Sequence, residues 1–297
     1  MQADKQKMAP NCRSVKNILS AFRSGVNAVQ HMQTEYEDRL VAFIDILGWT
    51  SATSHVAVPT LLETLNPIIE RAKSYSVNHK EFLHNSAGII SVNPLFLAVE
   101  FCFFSDCFVV SMPISMGGRI YDFASEVSRE LLLRGFAVRG GITAGKLFQK
   151  EQVVFGPALI QAYKLECSVA KMAKIHIDST ALVSTGHGDH MAVCRDEVGD
   201  WVVDLFPIQA IDRVTHQPLC CYDHDMILEK IALNLESLAI GSSSRRKWEY
   251  LARTVADSLS KFEPKTRTIT AKLRSLAPTD TFLTMMTLAI GRLRKLI

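Results

Sequence analysis

The stretch Val41-Ala42-Phe43-Ile44-Asp45-Ile46-Leu47-Gly48-Trp49-Thr50 decides how this chain is read. It has the form of an apolar strand that carries a single carboxylate near its end and passes at once into a glycine loop. A carboxylate so placed can hold a metal ion beside a phosphate. Further along, Phe101-Cys102-Phe103-Phe104-Ser105-Asp106-Cys107-Phe108-Val109-Val110-Ser111 is a second apolar run interrupted by one acid. Two such acids are what a two-metal phosphoryl-transfer site requires. Taken singly, each has a plainer reading, since an Asp at a bend can hydrogen-bond its own backbone. A third segment tilts the balance: in Val138-Arg139-Gly140-Gly141-Ile142-Thr143-Ala144-Gly145-Lys146-Leu147, glycines permit close backbone approach and two cations flank the strand. Acid, acid, then glycine with cation is the order of a nucleotide site.

Periodicity places these segments on elements. Leu40 to Leu47 reads as a strand, and Val58 to Tyr75 as a helix broken near Pro67. Leu95 to Phe104 and Cys107 to Met112 form a hairpin with Asp106 at its bend, and Ile120 to Leu133 is an amphipathic helix with Phe123, Val127 and Leu131 on one stripe. Phe136 to Leu147 reads as a strand, Pro157 to Cys167 as a helix with Pro near its first position, and Lys174 to Ile177 as a short strand. The order β-α-β-β-α-β is that of a ferredoxin-like α+β fold.

Composition sets the outer bounds. A chain of 297 residues with 48% hydrophobic content can bury one catalytic core and a smaller helical part. No run of about 18 apolar residues occurs, and Met1 to Pro10 lacks the apolar segment of a signal peptide. A cytoplasmic location without membrane insertion is therefore expected. Seven cysteines, scattered through apolar segments, read as reduced core residues rather than a disulfide framework. His187, His190, Cys194, Cys220, Cys221 and His224 lack a paired Cys-x-x-Cys knuckle, so zinc is not expected. Charge is uneven: residues 242–297 hold 12 Lys and Arg against 4 Asp and Glu, while residues 1–241 hold 21 against 26. The basic tail reads as amphipathic helices packing on a core or partner, in preference to a nucleic-acid surface. Gly241-Ser242-Ser243-Ser244 marks a subdomain edge. The expected division is an N-terminal helical arm over 1–38, a catalytic domain over 39–222, and a basic helical extension over 223–297.

Four motifs in order resemble the class III nucleotidyl cyclases: Phe43-Ile44-Asp45-Ile46-Leu47-Gly48-Trp49-Thr50, then Ser105-Asp106, then Arg139-Gly140-Gly141-Ile142-Thr143-Ala144-Gly145-Lys146, then Phe155-Gly156-Pro157 leading to Ile160, Ala162-Tyr163-Lys164-Leu165-Glu166. Their variant forms are most similar to the bacterial pyrimidine cyclases of Pycsar anti-phage systems. The resemblance implies a class III cyclase catalytic domain in which Asp45, Asp106 and the Ile46 carbonyl hold two Mg²⁺ or Mn²⁺ ions. It also implies that the backbone from Ile46 through Leu47, Gly48 and Trp49 to Thr50, together with Lys146, holds the triphosphate.

The departures from the family pattern bear on substrate and chemistry. The two positions that select a purine fall on Cys102 and Val153, which match neither the Lys and Asp of adenylate cyclases nor the Glu and Cys of guanylate cyclases. A site lacking the polar group its base must pair with loses most discrimination, so a pyrimidine triphosphate is expected; the residues do not distinguish uracil from cytosine, and the resemblance alone puts UTP ahead of CTP. The ribose-orienting Asn and transition-state Arg fall on Ile160 and Lys164. These share a helix face at i,i+4, so Lys164 can meet charge building at the α-phosphate, whereas Ile160 cannot hydrogen-bond ribose. Arg139 is read equally as structural or as pointing into the polar edge of the sheet.

The motif set occurs once, so the resemblance implies a C2 homodimer with composite active sites, the acids of one chain facing Lys164 of its partner. It implies a second messenger, cyclic UMP or cyclic CMP, acting on a separate effector in anti-phage defence. The alternatives are an adenylate or guanylate cyclase, a catalytically degenerate nucleotide sensor, and another two-metal nucleotidyl transferase on a related core.

Overall fold

The computed structural model describes residues 35–75, 99–150, 153–169, 171–186, 188–208, 210–211, 218–219, 222, 224–259 and 261–262. Residues 1–34 of the expected arm over 1–38, the start of the second strand at Leu95, and the basic tail beyond Phe262 lie outside them. The ordered elements begin with β1 (Glu37–Leu47), α1 (Trp49–His55), α2 (Val58–Tyr75), β2 (Glu100–Phe104), β3 (Cys107–Pro113) and α3 (Arg119–Leu133). Then follow β4 (Ala137–Lys150), β5 (Val153–Phe155), α4 (Pro157–Lys164), β6 (Ile175–Ile177), α5 (Ser179–Thr185), β7 (Val193–Arg195), β8 (Trp201–Val203), the short pair β9 (Ala210–Ile211) and β10 (Pro218–Leu219), α6 (His224–Ser237) and α7 (Ser243–Leu259).

The main sheet runs β2-β3-β1-β4-β6-β8-β7, with β5 paired to β4. Its first four strands are antiparallel and carry the β1-α-β2-β3-α-β4 order, so the ferredoxin-like α+β arrangement read from periodicity is the one observed. Alternation along β1 sorts its side chains between two layers. Leu40, Ala42, Ile44 and Ile46 enter the large core beneath α2 and α3. Val41 and Phe43 enter a smaller cluster with Val109, Leu147 and two alanines of α4, Ala158 and Ala162. Asp45 is the next residue on that second face.

Two local expectations change. The helix over 58–75 is not broken: α2 runs through Pro67. Leu61, Leu65, Ile68 and Ala72 seat it on the core, while Pro67 lies on the exposed side, where water can satisfy the carbonyl that loses its partner. The helix from Pro157 stops as an α-helix at Lys164 and continues as one π-helical turn, Leu165–Val169. Such turns redirect side chains, and this one carries Glu166.

The last two helices share a core with the strand ends. Ile227, Ile231 and Leu235 of α6 and Trp248, Leu251 and Val255 of α7 form one cluster with Leu132, Ala137 and Phe206, and Leu47 packs against it. Polar anchors fix α7 at several points: Tyr250 Oη donates to Asp196 Oδ2 at 3.0 Å, Arg245 Nη1 donates to the Leu235 carbonyl at 3.0 Å, and Ser258 and Lys261 both contact Asp204.

Candidate metal and nucleotide site

Antiparallel pairing sets Asp45 between Cys107 on β3 and Arg139 on β4. Asp106 sits on the two-residue turn joining β2 to β3, where Ser105 takes a left-handed conformation (φ 56°) of the kind tight hairpins use. The turn is pinned to β1, because the Ile46 amide donates to the Asp106 carbonyl at 2.8 Å. As a result the two carboxylates and the Cys107 thiol converge, with one donor atom from each residue within 4.8 Å of the others. Cys107 Sγ lies 3.8 Å from Asp45 Oδ1 and 3.5 Å from Asp106 Oδ1. Oxygen donors at this spacing fit a hard divalent cation such as Mg²⁺ or Mn²⁺.

The other oxygen of Asp45 is engaged elsewhere. Arg139 Nε donates to Asp45 Oδ2 at 3.1 Å and also contacts Oε1 of Glu166, whose side chain is only 3% exposed. Cys167 Sγ donates to Glu166 Oε2 at 3.0 Å. Arg139 thus bridges Asp45 and Glu166. Burial raises the Asp45 carboxyl above its ordinary range; the hydrogen bond and charge of Arg139 oppose this, and the charges of Glu166 and Asp106 add to it. Burial and the two neighbouring carboxylates push the Cys107 thiol far upward, so it stands protonated between them.

Other residues singled out from the sequence are spread more widely. Lys146 pairs in register with Asp38, and its Nζ lies 2.8 Å from Asp38 Oδ2. Seven residues separate Asp38 from Asp45, which is roughly 23 Å along a strand. Lys164, Ile160 and Val153 are exposed, and Cys102 is buried in the small cluster with Phe43 and Val109. Gly48 takes a left-handed conformation (φ 85°) as the N-cap of α1. Trp49 points inward against Phe136 (ring centroids 5.5 Å apart), Leu47 packs toward α6 and α7, and Thr50 is exposed with its carbonyl accepting from Thr53 and Ser54. Of the side chains in this loop, only that of Thr50 is exposed and able to face a phosphate. Gly140 and Gly141 have a packing role: an added Cβ would stand 2.4 Å from the Phe43 carbonyl oxygen and 2.5 Å from that of Ala162, respectively.

Three residues of the centre had no assigned role in the sequence reading. Cys107 is adjacent to Asp106, and Glu166 is two residues beyond Lys164, so local spacing could have flagged both. Lys247 could not have been found that way. It lies half-buried on α7, within the field of Arg139, Asp45 and Glu166; burial and then Arg139 lower its pKa, while the two acids oppose them.

No protein-family model matches this chain, and no curated protein matches its sequence. Among solved structures it is similar to the monomeric guanylyl cyclase domain of the RhoGC fusion protein from the aquatic fungus Blastocladiella emersonii, at 15% identity over 57% of this chain and 96% of that one, with a TM-score of 0.38. It is also similar to the adenylyl cyclase CyaB from P. aeruginosa, at 16% identity over 58% and 96%, with a TM-score of 0.38. A bacterial light-regulated adenylyl cyclase matches at 12% identity over 58% and 92%, with a TM-score of 0.40. Similarity of this degree assigns neither reaction nor residues to the chain.

Proposed function

We propose that this chain is a nucleotide cyclase that converts a pyrimidine nucleoside triphosphate, UTP ahead of CTP, to the 3',5'-cyclic monophosphate and pyrophosphate. The observation that carries the reading is the convergence of Asp45 and Asp106 at the end of a ferredoxin-like sheet, with the Gly48 turn into α1 beside them. Two divalent ions, Mg²⁺ or Mn²⁺, would lower the pKa of the ribose 3'-hydroxyl and neutralise the triphosphate when bound. Asp45, Asp106 and the Ile46 carbonyl hold them in this reading. Arg139, braced by Glu166, keeps Asp45 in one orientation.

The base preference is supported by what the selecting positions lack. Cys102 lies within an apolar cluster and Val153 is an aliphatic side chain on the surface, so neither offers a strong donor or acceptor to a purine edge. The motif variants are the ground for a messenger role in anti-phage defence, with a separate effector reading the product.

The active form in this proposal is a C2 homodimer. Phe104, Val153, Phe155, Ile160 and Tyr163 are large apolar residues that remain 48–57% exposed on the hairpin tip, β5 and α4. Covering them with a second copy would also bring Lys164 of the partner subunit toward the acids, a contact one chain does not make. The division into arm, catalytic domain and helical extension is kept as part of the same proposal. No helix among the described residues is long and apolar enough to cross a membrane, and a cytoplasmic site of action is proposed.

A second reading, a nucleotide sensor without turnover, is favoured by Ile160, whose exposed side chain cannot orient a ribose. The test is to incubate the purified protein separately with ATP, GTP, CTP and UTP in Mn²⁺ buffer and identify the products by mass spectrometry. A cyclic pyrimidine monophosphate is expected. A cyclic purine product would overturn the base assignment, and nucleotide-dependent thermal stabilisation without any product would favour the sensor.

A further inference from the structure

We propose that Lys247, delivered by α7, is the cation that grips the terminal phosphates of the nucleotide in the same chain that supplies Asp45 and Asp106. This rests on the nucleotide reading above and adds to it a phosphate-binding residue from outside the four motifs.

The placement follows from packing. Leu47 and Ala137 pair across β1 and β4, and Asp45 and Arg139 pair two residues away. With a period of two, all four side chains share one face of the sheet. Trp248 and Leu251 belong to the cluster that includes Ala137 and receives Leu47. The first turns of α7 are therefore seated one step beyond the acid centre, on its own face. Tyr250 to Asp196 and Arg245 to Leu235 hold the helix there. Lys247, next to Trp248, falls where its charge is felt by Asp45, Glu166 and Arg139 together.

The other cations near this face are engaged or turned away. Arg139 serves Asp45 and Glu166, and Lys146 is bonded to Asp38 at the far end of the strand. Lys164 is exposed on α4. Among the described residues Lys247 has no carboxylate within ion-pair distance of 4.0 Å. Its ammonium is held in the field of the acids without being bonded to them. A half-buried ammonium in that position lacks its counter-charge, which a polyphosphate supplies through charge-assisted hydrogen bonds.

The experiment measures binding of inorganic tripolyphosphate, UTP and UMP by titration calorimetry in Mn²⁺ buffer. The proteins are the full-length wild type, Lys247→Met and Lys247→Arg, each with its melting temperature recorded. Lys247→Met should weaken tripolyphosphate and UTP by about tenfold or more, the worth of one hydrogen bond to a charged group, while UMP affinity changes little. Lys247→Arg should restore most of the loss. Unchanged triphosphate affinity in Lys247→Met would overturn the assignment alone. Equal losses for UMP and UTP would overturn it too, because they would mark Lys247 as a brace for the fold. A wild type that binds none of the three ligands would remove the nucleotide reading together with this assignment.

Discussion

Replacing Gly141 by Ala tests whether the seat of α4 on the sheet governs the chemistry. Gly141 lies on β4, opposite Phe43, with α4 packed above it. An added Cβ would stand 2.5 Å from the Ala162 carbonyl oxygen and 2.6 Å from Leu165 Cβ, whereas ordinary contact begins at 3.4 Å. Helix backbone rather than a flexible tip blocks the methyl, so α4 has to withdraw by about 0.9 Å, the difference between those contacts. Overpacking of this kind costs about 1–3 kcal/mol, which lowers the melting temperature of a domain this size by roughly 2–12 °C. The larger effect falls on turnover. The helix carries Ile160 and Lys164, and Glu166 follows in the next turn; a displacement near 1 Å costs about 100-fold in rate. Mn²⁺ binding should persist, since Asp45 and Asp106 stand on β1 and the β2–β3 turn. The assay pairs a thermal melt with cyclic-nucleotide production below the melting transition. Wild-type melting and wild-type turnover together would refute the packing argument. A lowered melting temperature with full turnover would show that α4 contributes nothing to catalysis.

Asp45→Asn should abolish Mn²⁺ binding and turnover while raising the melting temperature at neutral pH. The folded-state pKa of Asp45 lies above its ordinary 3.8 because of burial, so folding binds the Asp45 proton more tightly than the unfolded chain does; that contribution is full below 3.8 and is lost as pH rises through the shifted value. An isosteric neutral amide regains it, and a melting temperature below wild type would contradict this. Wild-type turnover should in turn decline as pH falls through that raised pKa, read from a pH profile of kcat/KM. Asp196→Ala should destabilise the chain by about 3–5 kcal/mol, since it leaves the 7%-exposed Lys174 facing Asp200 alone and frees Tyr250; urea unfolding measures it. The Asp196 carboxyl is held low by Lys174 against its own burial, so this stability is present above pH 3.8 and fades as pH falls through the lowered pKa. Cys107 Sγ at 3.5 and 3.8 Å from two carboxylate oxygens brackets the roughly 3.6 Å edge of a tetrahedral thiolate–oxygen metal site. Co²⁺, by displacing the thiol proton on binding, should accordingly give a thiolate charge-transfer band that Cys107→Ser removes, and an identical spectrum from the variant would exclude sulfur ligation.

The strand carrying Asp45, the hairpin bend at Asp106 and the order of the central elements were legible because each is a local pattern. Alternation over 40–47 and a two-residue turn between apolar runs need no knowledge of the rest of the chain. Lys146 shows where such reading ends. Its motif places it beside a glycine strand, but only the antiparallel register of β1 and β4 reveals that residues after Arg139 travel away from Asp45 toward Asp38. Local propensity alone places a break at Pro67, because it carries no information about Leu61, Leu65, Ile68 and Ala72, whose burial keeps α2 continuous. Lys247 lies far from Asp45 in sequence and reaches it through a hydrophobic cluster formed by α6, α7 and the strand ends. No spacing rule links residues brought together that way.

Charge balance ties these observations to an order of events. Asp45, Asp106 and Glu166 face Arg139 and Lys247, which leaves the centre formally negative by one. A nucleoside triphosphate meeting that field alone is repelled, and burial strengthens the repulsion because the local dielectric is low. Arg139 cannot turn to meet it without releasing both Asp45 and the buried Glu166, which would strand a carboxylate away from water. The nucleotide is therefore expected to enter as its metal complex, the cation displacing the weak Cys107 thiol contacts on Asp45 Oδ1 and Asp106 Oδ1 while Arg139 keeps Oδ2. One carboxylate oxygen fixes the architecture and the other serves the ligand. That division explains why a salt bridge can sit inside the proposed metal site without competing with it.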